Sequence, residues 1–294
     1  MATVSARAAS PVAILGDMKR MKWNARIPVL AVAALALLST TGCKRLQSRD
    51  QLNKGVQAYK SAQYEEAIDH FQKSIELDPT YPQARLYLAT AYAQQVVPNV
   101  DTPDNLKTAQ SAIDNFQAVL QDDPTDITAL KQIASINFNI QKFDVAKEYQ
   151  QKVIAADPKD AEANYTIGVI DWTQSYKNAI NILAAAGIKD DGEGNVKKDK
   201  ATCAKLQAAN TDLVNDGLKY LLQAAAIRAN YDDDMSYINL TYRRKADLEC
   251  GNDAARKADL EQAKEWVDRA MGARKANEDQ KNNAAPAGVE MPAQ

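Results

Sequence analysis

The chain has 294 residues, and its 36 Lys and Arg against 38 Asp and Glu give a formal net charge of −2. A surface without excess positive charge excludes nucleic acid as the expected partner, because phosphate binding depends on a basic face. The single histidine, His70, excludes zinc motifs that need two histidines and leaves only one candidate base for a Ser-His-Asp triad.

The first 42 residues have the order of a secretory signal. Four basic residues between positions 19 and 26 precede the apolar run 27–38, and small residues follow this run up to Gly42. The run makes about 18 Å of helix against a hydrocarbon core of roughly 30 Å, so it is too short to span a membrane comfortably. We therefore expect 1–42 to be a cleaved signal peptide. Residues 1–17 add nothing to the pattern, and a start at Met18 or Met21 is the alternative.

The junction of Gly42 and Cys43 resembles the lipobox of bacterial lipoproteins, in which a small residue precedes a cysteine that is diacylated and becomes the new N-terminus. Two threonines before Gly42 depart from the family pattern. The resemblance implies cleavage after Gly42, lipidation of Cys43 and an anchor linker at 43–47. Because Lys44 follows the cysteine where Asp would favour inner-membrane retention, it also implies an outer-membrane protein facing the periplasm. Plain secretion, with Cys43 incidental, is the alternative.

Internal repetition organises the chain that follows. Asp-Pro pairs at 78–79, 123–124 and 157–158 each close a helical pattern, and the last two prolines are 34 residues apart. The stretch 55–92 resembles the tetratricopeptide repeat (TPR) family almost throughout. The family's small, small, aromatic, small and proline positions are occupied by Gly55, Ala67, Phe71, Ser74 and Pro79.

The resemblance to TPR proteins covers 48–272 and implies an all-α solenoid of about five antiparallel helix pairs. Departures from the 34-residue period place insertions between the two helices of repeats 2, 4 and 5. Because these turns lie along one edge of such a stack, we expect the insertions to crowd that edge and leave the concave face open. The largest insertion predicts a protruding helical hairpin in repeat 4. The stretch 273–294 has little to bury and is predicted to be a disordered tail.

Two cysteines lie at nearly equivalent offsets in neighbouring repeats. Cys203 precedes the second helix of repeat 4 and Cys250 precedes that of repeat 5. In an oxidising envelope, a bridge between them would stabilise the fold by roughly 4 kcal/mol in the loop-entropy model. Two unpaired thiols are the alternative.

The resemblance also implies a binding groove lined by the first helix of each pair. Aromatic anchors and basic residues in such a groove are suited to a peptide, although each aromatic side chain could instead pack in the core. The family's inward positions fall on Tyr59, Lys60, Leu86, Gln94, Lys131, Phe138, Tyr165, Trp172, Arg243 and Arg244.

Taken together, the sequence predicts a non-enzymatic, lipid-anchored TPR scaffold that binds an envelope protein or peptide. We expect no cofactor, no metal and no nucleic acid. A different class is a binding module for envelope glycan or another polymer, which would use the same aromatic side chains for stacking.

Overall fold

The structure is a computed structural model that describes residues 26–194 and 198–284; for 26–42 it describes only the helical backbone. Most of the predicted signal peptide and the last ten residues of the predicted tail lie outside the described residues. Within the described ranges there are ten helices and no strands: α1 Arg26–Lys60, α2 Tyr64–Leu77, α3 Pro82–Gln94, α4 Pro103–Asp122, α5 Ile127–Asn139, α6 Phe143–Ala156, α7 Ala161–Ala185, α8 Lys200–Ile227, α9 Asp232–Ala246 and α10 Asp253–Ala284.

The helices form five consecutive antiparallel pairs, and each pair packs on the next in chain order. This arrangement confirms the predicted all-α solenoid. Direct contacts also join α3 to α1 and α5, and α9 to α7. The first helices of the pairs therefore form the inner layer, and their exposed faces line the groove of the solenoid.

Each Asp-Pro pair ends a helix in the predicted way. Helices α2, α4 and α6 stop one residue before the aspartate, and a helical conformation at that aspartate is disfavoured by the proline that follows. Each aspartate then accepts the backbone N–H two residues further on, at 3.2 Å for Asp78, 3.0 Å for Asp123 and 3.0 Å for Asp157. The same turn thus starts three successive repeats.

Small residues allow the two helices of a pair to approach closely. Gly55 lies against the ring of the fully buried Phe71, and Gly168 lies against Leu221, so a Cβ at either glycine would overlap the opposing side chain. Ser48 makes the same kind of contact at the start of the stack, because its hydroxyl bonds the Ser74 carbonyl at 2.8 Å. Complementary pairs of small and large residues therefore set the spacing of the layers.

The insertions lie where the sequence predicted them. Helix α4 is lengthened to 20 residues, and α7 and α8 reach 25 and 28 residues against 13 and 14 in α5 and α6. At 1.5 Å per residue, α7 and α8 extend about 15 to 20 Å past the helices of repeat 3. The predicted protruding hairpin of repeat 4 is present, and in repeat 5 the extra length lies mainly in α10.

The prediction of a disordered tail from residue 273 is wrong for 273–284. Helix α10 continues to Ala284, and its extension contacts the start of α9. Arg274 Nε lies 3.1 Å from an Asp232 carboxylate oxygen, and Asn277 donates to the Asn230 carbonyl at 3.0 Å. Polar contacts with the neighbouring helix order this segment, although it has few apolar residues.

The predicted anchor linker at 43–47 is also helical. Helix α1 passes through it without a break, and Ser48 is already fully buried against α2. Among the described residues, no helix is both long enough and apolar enough to cross a membrane.

We predict that Gly168→Ala destabilises the protein by about 1 to 3 kcal/mol, because the new methyl group would overlap Leu221 in a closely packed layer. Gly272→Ala is the matched control, since nothing lies within 4 Å of a Cβ at that helical position. The control should gain about 0.5 to 1 kcal/mol from the removal of a helical glycine. Urea unfolding followed by circular dichroism measures both changes, and equal stability of the two variants would contradict the packing argument.

Candidate functional site

Five aromatic side chains cluster on the inner layer where α7 meets α9. We call this set the aromatic groove; its members are Tyr165, Trp172, Tyr176, Tyr231 and Tyr237. Ring centroids are 4.9 Å apart for Tyr165 and Tyr231, 5.7 Å for Tyr165 and Tyr237, 5.2 Å for Trp172 and Tyr237, and 5.1 Å for Trp172 and Tyr176. The three aromatic residues of α7 share one helical face because they are spaced seven and four residues apart.

Sequence reasoning found two members of the aromatic groove, Tyr165 and Trp172, and missed the other three. Tyr176 lies one turn beyond Trp172, past the end of the family's usual first helix, and its four-residue spacing was the available signal. Tyr231 and Tyr237 join the cluster only because α9 packs beside α7. No local pattern marks that contact.

The outer end of the groove offers partly exposed ring surface. Tyr176 stacks on Trp172 with an interplanar angle of 14° and remains 39% exposed. Within the described residues, the buried Trp172 Nε1 has no hydrogen-bond partner. Its neighbours enclose this donor, so the outer end of the groove meets a ligand through the Tyr176 ring rather than through the indole N–H.

The inner end of the groove holds its hydroxyl groups and one carboxyl in their protonated forms. Burial raises the pKa of Tyr165 and Tyr237 above the usual range, and it raises that of Tyr231 to about 12. Asp234 is fully buried beside them, and neither of its carboxyl oxygens has a partner in the described part of the chain. Burial raises its pKa to about 8, although the positive charge of Arg228 opposes the shift.

Two of the remaining predicted groove residues contact aromatic neighbours within their own repeats. Tyr59 meets Tyr64 edge to face at 5.5 Å, and Phe138 meets Phe143 in the same way at 5.6 Å. The exposed Gln94, in repeat 2, lies close to the Tyr59 hydroxyl and partly offsets the rise in its pKa that burial causes. These residues are half-buried or exposed on the inner layer, but they form two separate pairs rather than a continuation of the aromatic groove.

Leu86 and Lys60 complete the predicted set in repeats 1 and 2. Leu86 packs half-buried against the core between α3, α4 and α5, which corresponds to the core alternative that the sequence left open. Lys60 is exposed at the end of α1.

Lys131 lies on the inner layer, but its ammonium group is already paired. Nζ is 2.7 Å from an Asp160 carboxylate oxygen and 2.8 Å from one of Glu162. Asp160 also caps α7 by accepting the Ala163 N–H at 2.8 Å. Lys131 therefore joins repeat 3 to the start of repeat 4.

The prediction that Arg243 and Arg244 line an open groove is wrong, because the insertion of repeat 4 folds over them. Arg244 is 4% exposed and pairs with Asp190 at 2.9 Å. Arg243 donates to the Gly192 carbonyl at 3.0 Å. The turn after α7 thus covers the end of α9, and the concave face is not open there.

Backbone contacts fix this turn tightly. Gly194 is buried with a φ of +80°, and a Cβ there would approach the Ala246 carbonyl oxygen to 2.8 Å. Arg256 donates to the Glu193 carbonyl at 2.9 Å, and Lys198 donates to the Gly194 carbonyl at 2.6 Å. Only glycine has both the conformational freedom and the small size that position 194 requires.

A disulfide closes the base of the same turn. The structure pairs Cys203 with Cys250, and their Cα atoms are 6.0 Å apart, within the range that a bridge requires. The bond links the start of α8 to the turn between α9 and α10. Repeats 4 and 5, which carry the aromatic groove, are therefore covalently joined.

Comparison with known families identifies tetratricopeptide repeats in two parts of the chain. A TPR repeat model matches residues 55–96, and a second tetratricopeptide repeat model matches 128–160. Among curated protein sequences, none matches this chain closely enough to count as a relative.

Solved structures show the same fold. The crystal structure of a MamA protein matches with a TM-score of 0.51 at 16% identity, over 83% of this chain and 98% of that one. MamA from Desulfovibrio magneticus RS-1 matches with a TM-score of 0.51 at 15% identity, over 78% and 96%. At these identities the likeness concerns the fold alone, which is an all-α TPR solenoid.

We predict that Asp234→Asn makes stability less dependent on pH. Burial raises the pKa of the Asp234 carboxyl from its ordinary value of 3.8 to about 8, so the folded protein keeps this proton up to about pH 8. The folded state therefore binds more protons than the unfolded state between these values, and the wild type loses stability as the pH rises through this window. The variant should become progressively more stable than the wild type from pH 5 to pH 9, measured by urea unfolding.

Asp233→Asn is the control for this experiment, because Asp233 is exposed in the same first turn of α9. It should keep the wild-type pH dependence. An Asp234→Asn curve that runs parallel to the wild type would show that the folded carboxyl is ionised.

We predict that reduction of the disulfide lowers the free energy of unfolding by about 4 kcal/mol, because the open chain gains loop entropy over a separation of 47 residues. Urea unfolding with and without reductant measures the loss. A Cys203→Ser, Cys250→Ser variant should unfold like the reduced protein and be insensitive to reductant. Two reactive thiols in the untreated folded protein would contradict the pairing.

Proposed function

We propose that this protein is a non-enzymatic adaptor of the bacterial cell envelope whose aromatic groove binds an extended segment of a partner protein. The observation that carries the proposal is the aromatic groove itself. Five aromatic rings lie on the inner layer of a TPR solenoid, and one of them, Tyr176, remains 39% exposed. Aromatic side chains of this kind dominate the energetics of protein interfaces.

The geometry of the groove suits a chain more than a compact ligand. The α7 rings extend over twelve residues, from Tyr165 to Tyr176, and the helix rises about 16 Å between the first and the last. An extended segment of about five residues has that length. Its side chains could pack on the rings of the groove.

The anchoring part of the proposal rests on the sequence at the start of the chain. The short apolar run 27–38, the small residues after it and the Gly42 and Cys43 junction favour cleavage and diacylation at the cysteine. Two acyl chains anchor a protein stably, whereas one does so only marginally. The exposed Cys43 thiol is consistent with modification, and Lys44 favours the outer membrane facing the periplasm.

The environment of the only histidine in the sequence supports a non-enzymatic function. His70 Nδ1 hydrogen-bonds Gln51 Oε1 at 2.7 Å on the paired face of α1 and α2. A general base needs access to a nucleophile and a substrate, and this ring is held by a neighbouring helix instead.

The second candidate function is binding of an envelope glycan. The specific observation in its favour is the partly exposed ring of Tyr176, stacked parallel on Trp172. A flat ring surface backed by a second ring could also support a sugar ring.

We predict that Tyr176→Ala abolishes or strongly reduces capture of the partner. Each protein would carry a C-terminal tag, be cross-linked mildly in intact cells and be extracted with detergent, and mass spectrometry would identify what is retained. Loss of an aromatic anchor from an interface costs about 2 kcal/mol, which corresponds to a roughly thirtyfold loss of affinity.

Tyr87→Ala is the matched control. Tyr87 has the same exposure of 39% and also stacks on an aromatic ring, Phe71 at 5.6 Å, but lies in repeat 2. One protein retained by the wild type and by Tyr87→Ala but lost from Tyr176→Ala would support the adaptor. Retention of cell-wall glycan with the same dependence on Tyr176 would favour the glycan binder. Capture that is equal in all three would contradict a role for the groove.

A further inference from the structure

The anchor end of the mature chain carries a compact basic and apolar surface that the groove does not explain. We call it the anchor collar; it consists of Cys43, Lys44, Arg45, Leu46 and Arg49. Every member is exposed, and Leu46, at 70%, is the most exposed large apolar side chain among the described residues. Such exposure of an isolated leucine in water is unremarkable alone, but here it lies between cations and the lipidation residue.

The spacing of the collar places its lipidation residue beside its apolar residue, with Lys44 and Arg45 on the other sides of α1. Cys43, Leu46 and Arg49 are three residues apart, so they follow one another along the same helical face. The acyl chains of Cys43 would therefore lie next to Leu46, and the guanidinium of Arg49 would come one turn later.

No flexible tether separates the collar from the solenoid. Ser48 is fully buried and bonds both the carbonyl and the hydroxyl of Ser74, at 2.8 and 2.9 Å. Five residues of helix, about 7 Å, thus separate the acylated cysteine from the first packed layer. An acyl anchor at Cys43 brings the collar to the depth of the lipid headgroups by geometry alone.

The charges of the collar fit an anionic surface. Its three cations are opposed by one nearby acid, Asp78, which lies 3.7 Å from Arg45. Asp50, on the next turn, is paired with Lys54 at 2.7 Å. The chain from residue 43 onward, in contrast, has 31 Lys and Arg against 37 Asp and Glu, a net charge of −6.

We propose that the anchor collar docks on anionic phospholipid, with Leu46 at the edge of the hydrocarbon and the cations Lys44, Arg45 and Arg49 on lipid phosphates. The inference rests on the proposed lipidation of Cys43 and goes beyond it. Attraction at the collar and repulsion of the acidic body by the same surface hold the solenoid upright on its first repeat. The aromatic groove, in repeats 4 and 5, then faces away from the membrane.

The test places an environment-sensitive fluorophore on Leu46→Cys in the purified, acylated protein. This thiol is the one free thiol of the mature variant, because Cys43 is acylated and Cys203 is bonded to Cys250. The matched control is Asn53→Cys, exposed on α1 two turns further from the anchor. Both are reconstituted in vesicles of phosphatidylcholine with and without phosphatidylglycerol.

In vesicles with phosphatidylglycerol, the probe at position 46 should shift its emission to the blue and be quenched by lipids brominated in their acyl chains. The probe at position 53 should stay in water. Lys44→Glu with Arg49→Glu should abolish the shift at position 46, and Lys60→Glu, at the far end of α1, should leave it unchanged. Because all these positions are exposed, the substitutions should leave the fold intact.

A probe at position 46 that is as solvated as the one at 53, on a chain whose N-terminal peptide carries the acyl mass, would overturn the docked collar and leave the adaptor proposal intact. Equal insertion with and without phosphatidylglycerol would overturn the electrostatic part of the inference. A mature chain without acyl mass at Cys43 would overturn the lipid anchor itself and the collar with it.

Discussion

Close contact between α7 and α8 at Gly168 is the constraint on which the rest of this structure depends. The Leu221 side chain fills the space that a Cβ at Gly168 would need, so α7 and α8, the longest helix pair, can approach each other closely. Gly217, on the opposite helix, lies against Asp171, which is fully buried and held by Lys147 at 2.9 Å. These contacts make a rigid platform from which the α7 aromatic side chains project. The absence of side chains at Gly168 and Gly217 thus allows the close helix contact that supports the aromatic groove.

The raised pKa values of two buried acids reflect the exclusion of water from the interior beneath the groove. Burial raises the pKa of Asp171 to about 6 even though Lys147 favours its ionised form, and Asp234, without a paired cation, is raised further, to about 8. The difference between the two carboxyls follows from the presence of a partner rather than from the depth of burial. The groove thus lies over an interior where any new hydrogen bond or charge has a large effect.

Local patterns predicted the parts of the fold that depend on local physics. Asp-Pro turns ended helices at Leu77, Asp122 and Ala156, because the proline acts on its immediate neighbour. The small residue Gly55 and the aromatic Phe71 were likewise predicted from the repeat, whereas their direct contact is seen only in the structure. What the sequence could not supply is how one repeat's insertion contacts the next. Arg243 and Arg244 look like groove residues by position, and only the folded turn at 190–194 shows that they bind it instead.

The disulfide between Cys203 and Cys250 determines which end of the solenoid unfolds first. A repeat array has contacts only between neighbours, so it melts by fraying from whichever end is weaker. Here a covalent bond secures the last two repeats, while repeats 1 to 3 have only noncovalent packing. Under a pull between the proposed anchor at Cys43 and a partner bound at the proposed site in repeats 4 and 5, the N-terminal repeats would therefore unfold first, and the chain would lengthen while the partner stayed bound.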